Sequence, residues 1–210
     1  MLLLILAAVP ALARDVGQAA ICDSAAIRAA TEANIPRKVM LAVTRLETGQ
    51  RIDGELQPWP WAVNMEGEGR YFDSEDALRK FVFGKFKEGR RNFDVGCFQI
   101  NYRWHGDQFA SLDEMVDPEA NARYAARFLQ DLYEETGDWT AAVGAYHSRT
   151  PANAERYTRK YQTIRQGLQD MGKPPTLQIS RNDFALLRRG ATAGAGSLVP
   201  IDAARPALVD

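Results

Sequence analysis

Helix-forming patterns dominate the chain. Apolar residues recur at the three- and four-residue spacing that places them on one face of an α-helix. Most of these stretches begin at a residue that can cap a helix, and several end at a glycine. The predicted helices run from Asp23-Ser24 to Asn34, from Ile35-Pro36 to Gly49, from Ser74 to Gly89, from Asp117-Pro118 to near Gly137, from Asp138 through Tyr146, and from Thr150-Pro151 through about Met171.

The segment 51–73 has a different pattern. Pro58-Trp59-Pro60 interrupts any helix, because proline lacks the backbone N–H that a helix interior needs. Residues 61–65 and 70–72 flank the turn-forming sequence Glu66-Gly67-Glu68-Gly69. This arrangement predicts a small β-hairpin inside a mainly α (α+β) protein.

The first thirteen residues are typical of an export signal. Residues 1–10 are almost wholly apolar, and Ala11-Leu12-Ala13 fits the small-x-small pattern of signal peptidase cleavage. The stretch is shorter than a membrane-spanning helix, although no Lys or Arg precedes it. We therefore expect a signal peptide at 1–13, a folded domain at 14–172 and a periplasmic protein without a stable membrane span; a buried N-terminal helix is the alternative.

The C-terminal segment 173–210 is rich in Pro, Gly and Ala, a composition that predicts a flexible tail. It also contains five apolar residues that could form a short docking element: Leu177, Ile179, Phe184, Leu186 and Leu187. We expect this element either to recruit a protein of an envelope machine or to pack back on the domain as a brace.

Composition and charge exclude several kinds of partner and cofactor. The 210 residues carry a formal net charge of -1 and no long basic run, so nothing indicates nucleic acid. The two histidines, His105 and His147, share no ligand spacing, and no Gly-rich phosphate loop is present. The sequence therefore predicts neither a metal site nor a cofactor.

Cys22 and Cys97 form an even pair, which in an exported protein indicates a disulfide. The bond would close a loop of 75 residues, worth about 4 kcal/mol in the chain-entropy model. Two buried free thiols are the alternative.

Glu47 is the candidate for acid–base chemistry. It shares one face of the second predicted helix with Met40 and Val43, at that helix's end. Burial there, together with the negative end of the helix dipole, would raise its pKa and keep it protonated near neutral pH. A protonated carboxyl beside a cleft is what glycosidic cleavage requires of its general acid. A glutamate facing solvent or pairing with an arginine is the alternative.

Two segments resemble the soluble lytic transglycosylase family. LAVTRLETG at 41–49 resembles that family's helix ending in Glu-Ser, with Thr48 in place of Ser. DVGCFQIN at 94–101 resembles its Gly-Leu-Met-Gln-Ile-Asn segment, with Cys97 and Phe98 in place of Leu and Met.

The resemblance continues towards the C-terminus. AVGAYHS at 142–148 is similar to the family's Ala-Tyr-Asn-Ala-Gly segment, with Tyr146 kept and His147-Ser148 departing from it. Tyr157 falls where the family has a second tyrosine. The four features keep the family's order over residues 22–165, which is a more specific signal than any one motif.

This resemblance implies a lysozyme-like fold and peptidoglycan glycan strands as the substrate, cut between N-acetylmuramic acid and N-acetylglucosamine. Glu47 would protonate the bridging oxygen and then take the proton of the 6-hydroxyl, which closes a 1,6-anhydro ring. The substrate's N-acetyl group would replace a second carboxylate. Tyr146 would orient Glu47, and Gln99 with the 97–98 backbone would contact the acetamido group. The substrate-binding residues implied are Gln99, Tyr146, Thr48, Phe98, Asn101 and Tyr157.

Other readings of the same residues stay open. A hydrolytic muramidase on this fold needs a second acid, for which the sequence offers Asp53, Glu66, Glu68, Asp73 and Asp94. A non-catalytic glycan-binding assembly protein is a third possibility. Trp59 and Trp61 would either face sugar rings or pack in the core. Service to a flagellum or secretion machine rests on analogy with single-domain family members alone.

Overall fold

The computed structural model describes residues 11–171, which form eight α-helices and six short strands. The helices are α1 Ala11–Glu32, α2 Arg37–Thr48, α3 Glu75–Lys87, α4 Tyr102–His105, α5 Leu112–Val116, α6 Pro118–Thr136, α7 Trp139–His147 and α8 Pro151–Met171. The strands are β1 Gln50–Ile52, β2 Glu55–Gln57, β3 Ala62–Met65, β4 Glu68–Tyr71, β5 Phe93–Val95 and β6 Ile100–Asn101. The mainly helical class with a small β insertion is confirmed.

Both chain ends fall beyond this range. Residues 1–10 of the predicted signal peptide and the whole predicted tail, 173–210, lie outside the described residues. Between residues 11 and 171, no helix is both long and apolar enough to cross a bilayer.

Side-chain caps begin three of the helices where the sequence predicts them. Ser74 accepts a hydrogen bond from the Ala77 amide at 3.3 Å, and Asp117 accepts one from the Ala120 amide at 2.8 Å. Asp138 caps α7 in the same way. Each oxygen satisfies a backbone N–H that has no partner inside its helix, so the helix starts there.

The predicted start of the first helix at Asp23-Ser24 is wrong, because α1 already begins at Ala11. Asp23 lies inside the helix, where its carboxylate pairs with the Arg45 guanidinium at 2.7 and 2.9 Å. Arg45 is buried, so this two-point pair satisfies a charge that would otherwise be costly. Asp23, which could cap a helix, therefore joins α1 to α2 instead.

Gly49 ends α2, as predicted. The position needs glycine because a side chain would not fit there, and not because the backbone is left-handed. Its φ is -62°, which any residue can adopt. A Cβ there would lie 2.2 Å from the Arg45 carbonyl oxygen and 2.8 Å from the Leu56 side chain. The chain turns tightly from α2 into β1 only because glycine lacks that atom.

Two hairpins follow α2. The predicted one pairs β3 with β4 around Glu66-Gly67, whose φ angles are 55° and 97°. The β1–β2 hairpin was not predicted, although its Asp53-Gly54 turn is a strong hairpin signal. The larger sheet has the order β4-β3-β5-β6 and is antiparallel throughout.

The core lies where α1, α2, α6, α7 and α8 pack against one another and against one face of the larger sheet. The predicted disulfide joins Cys22 of α1 to Cys97, which follows β5, with the two Cα atoms 5.6 Å apart. Both cysteines are fully buried. The bond therefore fixes the segment after β5 against the first helix.

Candidate active site

The end of α2 opens into a cleft of about 490 Å³. Its walls come from α2, the β3–β4 hairpin, the segment 94–101, α4, α6 and α7. Its lining residues are Glu47, Ala62, Val63, Asn64, Gly69, Arg70, Tyr71, Asp94, Gln99, Ile100, Asn101, Trp104, His105, Phe128, Tyr146 and His147.

Glu47 lies on this cleft one residue before the end of α2. The Tyr157 hydroxyl donates a hydrogen bond to its Oε1. Burial raises the pKa of Glu47 from an ordinary 4.5 to about 7; the bond from Tyr157 opposes this shift and the charge of Asp94 adds to it. Near neutral pH the carboxyl is therefore poised both to give and to take a proton.

The two tyrosines have different partners from those expected. Tyr157, on α8, contacts Glu47, whereas the Tyr146 hydroxyl donates to the Phe98 carbonyl oxygen at 2.7 Å. Tyr157, and not Tyr146 as expected, therefore contacts the Glu47 carboxyl. Burial raises the pKa of both phenols well above the ordinary value, so both stay neutral donors. Sequence order could not separate them, since the packing of α7 against α8 decides which hydroxyl reaches the acid.

The segment 94–101 is held by one buried amide. Asn121 of α6 donates to the carbonyl oxygens of Val95 and Met115 at 3.0 and 3.2 Å, and it accepts from the Phe98 amide at 3.1 Å. Gly96, with a φ of 81°, lies against this side chain, and a Cβ there would come within 2.9 Å of its atoms. The glycine of the motif is thus required by both backbone conformation and close approach.

Gln99 lines the cleft in a left-handed conformation, with a φ of 45°. Its Nε2 donates to the carbonyl oxygens of Gly96 at 2.9 Å and Ala62 at 3.2 Å. These bonds fix the amide plane, which leaves Oε1 as the atom that can accept a hydrogen bond from a ligand N–H. Strain of this kind is typical of functional segments held by their surroundings.

Asp94 brings a second carboxyl into the cleft. Of the five acidic residues considered as a second acid, all within the described range, Asp94 alone lines the cavity. Asn101, also on the lining, donates to its Oδ1 at 2.8 Å. Burial raises the pKa of Asp94, and the bond from Asn101 opposes that shift. Asp94 also belongs to β5, so it supports the turn before Gly96 through the strand itself.

Two expected substrate contacts lie away from the cleft surface. Thr48 is fully buried, where its hydroxyl donates to the Thr44 carbonyl oxygen at 3.0 Å and accepts from the Trp59 amide at 3.1 Å. The Phe98 side chain is also fully buried, and only its carbonyl oxygen faces the site, through Tyr146. A motif fixes the spacing of residues but not which side of the backbone each side chain occupies.

The two tryptophans of the 58–61 segment belong to the core. Trp59 and Trp61 are 7% and 5% exposed. Their indole N–H groups donate to the Phe72 carbonyl oxygen at 2.8 Å and to Gln18 Oε1 at 2.6 Å. Satisfied polar tips and buried rings settle the open choice between core and sugar contact in favour of the core.

Two aromatic residues of the cleft wall were not predicted from the sequence. Trp104 of α4 is 70% exposed and Tyr71 of β4 is 49% exposed, the largest apolar exposures on the lining. No pattern in the sequence marks them, because exposure depends on how α4 and the hairpin meet. Exposed aromatic rings beside a polar cavity are a common feature of carbohydrate sites, where they stack on the apolar face of a sugar ring.

No group of three or more metal-ligating side chains occurs within the part of the chain that the structure describes. His105 contacts the Tyr124 hydroxyl at 2.7 Å, and His147 stacks on Tyr157. Both histidines are thus engaged with aromatic neighbours.

Part of the chain matches a known family model. Residues 74–167 match the family model described as the transglycosylase SLT domain. The match supports membership of the soluble lytic transglycosylase family, which the sequence motifs predicted. The mainly helical structure with its small antiparallel sheet is consistent with the lysozyme-like fold predicted from the resemblance. An SLT domain supports a peptidoglycan-cleaving, glycosidase-like function.

The match includes Gln99, Tyr146 and Tyr157 but begins 27 residues after Glu47. The case for Glu47 therefore depends on the geometry of the cleft. Neither curated proteins nor solved structures gave a match to the chain.

Proposed function

We propose that this transglycosylase cleaves the β-1,4 bond between N-acetylmuramic acid and N-acetylglucosamine and leaves 1,6-anhydromuramic ends, with Glu47 as its acid and base. The observation that carries the proposal is the placement of Glu47: a half-buried carboxyl with a pKa of about 7, held by Tyr157 at the wall of an open cleft.

The first step breaks the glycosidic bond. Protonated Glu47 donates its proton to the bridging oxygen, which leaves with the electron pair of the bond to C1 of the muramic acid. The acetamido carbonyl oxygen of the same sugar attacks C1 and forms a cyclic oxazolinium ion, so no enzyme carboxylate has to bond to the sugar.

The second step closes the ring. Glu47, now a carboxylate, removes the proton of the muramic acid 6-hydroxyl. That oxygen attacks C1 and displaces the acetamido oxygen, so no water is consumed. A pKa near the working pH suits a group that must donate in one step and accept in the next.

Cleft residues supply the contacts that this route needs. Gln99 Oε1, with its amide nitrogen committed to two carbonyls, is suited to accept the acetamido N–H of the substrate. Trp104 and Tyr71 would stack on sugar rings beside the reacting bond, and Asn101 would act through Asp94. Thr48 and Phe98 would support the site from within the core.

The site of action proposed is the periplasm, reached through a cleaved signal peptide. The Cys22–Cys97 disulfide supports an oxidising compartment, since such bonds persist outside the reducing cytosol. Recruitment by a flagellar or secretion machine through residues 173–210 stays a prediction.

A hydrolytic muramidase is the second candidate, and Asp94 favours it. Its carboxyl lies on the same cleft as Glu47 and is close enough for its charge to raise the pKa of Glu47. An ionised Asp94 could place and activate water, as the second acid of an inverting enzyme does.

Digestion of purified sacculi in ¹⁸O-labelled water separates the two. The proposal expects muropeptides lighter by one water, with anhydro ends and no ¹⁸O. Reducing muramic ends that carry ¹⁸O would show water as the acceptor and identify a muramidase.

Two variants complete this experiment. Glu47→Gln should lose nearly all release of soluble products, since an amide cannot donate the proton. Asp94→Asn should keep measurable turnover in a transglycosylase but lose it in a muramidase. If the wild-type protein binds sacculi and releases nothing, the glycan-binding assembly role replaces both enzymes.

A further inference from the structure

His147 stacks directly on the tyrosine that holds the proposed catalytic acid. The imidazole and the Tyr157 ring have centroids 4.2 Å apart and planes 4° from parallel. The hydroxyl of the same tyrosine donates a hydrogen bond to the Glu47 carboxyl. His147 also lines the cleft, whereas Tyr157 is 8% exposed.

The stack depends on a close approach of two helices. Gly144, one turn before His147 on α7, has Thr158 of α8 so near that an added Cβ would lie 2.9 Å from its Cγ2. Thr158 directly follows Tyr157 in the chain. The glycine therefore lets α7 approach α8 closely enough for the two rings to meet.

His147 occupies a position where this chain departs from its family. In the Ala-Tyr-Asn-Ala-Gly segment that AVGAYHS resembles, the residue after the tyrosine is an asparagine. Asparagine offers no ring face, so the stack is a feature of this chain rather than of the shared motif.

At neutral pH the imidazole is an uncharged ring. Burial lowers the pKa of His147, and the positive charges of Arg156 and Lys160 lower it further. The imidazole contacts the neutral phenol ring of Tyr157, which in turn donates a hydrogen bond to Glu47. Its contribution near neutral pH is a flat surface, not a charge.

We propose that His147 is a positioning residue, which clamps the Tyr157 ring so that its hydroxyl stays directed at Glu47 throughout turnover. The proposal rests on Glu47 being the acid–base group. A tyrosine on a helix can rotate about its side-chain bonds, and parallel stacking of its ring on His147 restricts that rotation. Loss of the clamp would leave Glu47 with an intermittent hydrogen bond and a less defined orientation.

A matched pair of variants isolates the flat ring. His147→Phe and His147→Leu both replace the imidazole by an apolar group, and only phenylalanine keeps a planar face. We expect His147→Leu to lower kcat about tenfold with KM within twofold of wild type, and His147→Phe to recover most of that loss. A leucine variant with wild-type kcat, a loss confined to KM, or a failure of phenylalanine to recover kcat would overturn the proposal.

A double-mutant cycle tests whether His147 acts through Tyr157. In a Tyr157→Phe background there is no hydroxyl to direct, so adding His147→Leu should lower kcat by less than twofold. An equal loss in both backgrounds would mean that His147 contacts the substrate itself. If His147→Leu does not fold, judged by thermal unfolding, His147→Met supplies a second replacement without a planar face.

Titration of the resting protein gives a readout that needs no turnover. The carbon resonance of the Glu47 carboxyl should titrate near pH 7 in wild type and at higher pH in His147→Leu, because the bond from Tyr157 lowers that pKa. His147→Phe should titrate close to wild type. An inactive wild-type protein would refute the proposed function while this titration still tested the clamp. Equal midpoints in all three proteins would overturn the clamp alone.

Discussion

At the scale of single residues, the environment of Glu47 suits one carboxyl to both the acid role and the base role that we propose for it. Its charge is disfavoured by burial, and Tyr157 limits the shift, so the pKa settles at about 7. A site built for catalysis holds such a group at a cost in stability, because ionising it inside the fold is harder than ionising it in the unfolded chain.

This cost has a measurable pH dependence. The folded pKa of Glu47 lies above its ordinary 4.5, so its contribution to stability is present below about pH 4.5 and is lost as the pH rises towards 7. Glu47→Gln removes the penalty. The variant should unfold with a free energy on the order of 2 kcal/mol higher than wild type at pH 8, and nearly equal to it at pH 4.

Urea denaturation of both proteins at these two pH values measures the difference. An equal difference at both pH values would show that the amide stabilises by packing and that the pKa of Glu47 is not raised.

Solvent exposure separates Trp104, on the cleft wall, from Trp61, in the core. Trp104 is 70% exposed on the cleft wall, so Trp104→Ala should leave the thermal midpoint within about 2 °C of wild type and raise KM for glycan strands several-fold. Trp61 is 5% exposed, so Trp61→Ala should destabilise the fold by about 3–5 kcal/mol.

Calorimetry and steady-state kinetics on the same two variants decide this. If Trp104→Ala keeps a wild-type KM, the ring does not contact substrate.

At the scale of elements, the 94–101 segment is held in shape by contacts with neighbouring helices. Neither β5 nor β6 exceeds three residues, and the segment between them owes its shape to the Asn121 amide of α6 and to the disulfide at Cys97. These two contacts, and not long strands, therefore hold this part of the cleft wall in place.

Gly96→Ala should disrupt this element. The new Cβ would occupy a positive φ and meet Asn121 within 2.9 Å, which we expect to cost about 2–4 kcal/mol of unfolding free energy and most of the activity. Gly84→Ala is the matched control, because Gly84 lies in α3 with nothing within 4 Å of an added Cβ. That control should be neutral or more stable by about 0.5–1 kcal/mol. Chemical denaturation compares the two, and equal stabilities would show that the segment adapts to a side chain.

At the scale of the whole molecule, the disulfide connects the first helix to the 94–101 segment of the cleft wall. Its loop spans 75 positions, for which the chain-entropy model gives about 4 kcal/mol. Replacing both cysteines by alanine should lower the urea midpoint and abolish the response of that midpoint to reductant. If reductant does not change the urea midpoint of the wild-type protein, the disulfide contributes little to stability.

The C-terminal segment 173–210 is predicted to place the enzyme rather than to help it catalyse. Deleting it should leave activity on isolated sacculi and thermal stability within the error of wild type, because every residue assigned to the cleft precedes Arg165. The full-length protein should capture an envelope partner that the truncated one does not. A deletion that loses both stability and activity would identify the segment as a brace.

The sequence by itself determined much of this protein. Helix starts at Ser74, Asp117 and Asp138 and the β3–β4 hairpin follow from local chemistry, since caps and turns act over three or four residues. The Cys22–Cys97 pair follows instead from the presence of only two cysteines in a chain expected to be exported. The order of motifs pointed to the family and made Glu47 the candidate acid before any contact was known.

Only the tertiary structure decided which side chains meet. The sequence could not show that Tyr157 rather than Tyr146 reaches Glu47, that Thr48 faces the core, or that Trp104 faces the cleft. It also could not show that Asp23 pairs with Arg45 instead of capping a helix. These outcomes depend on how helices distant in sequence approach one another, and that approach is fixed by core packing and by small residues such as Gly144 rather than by local pattern.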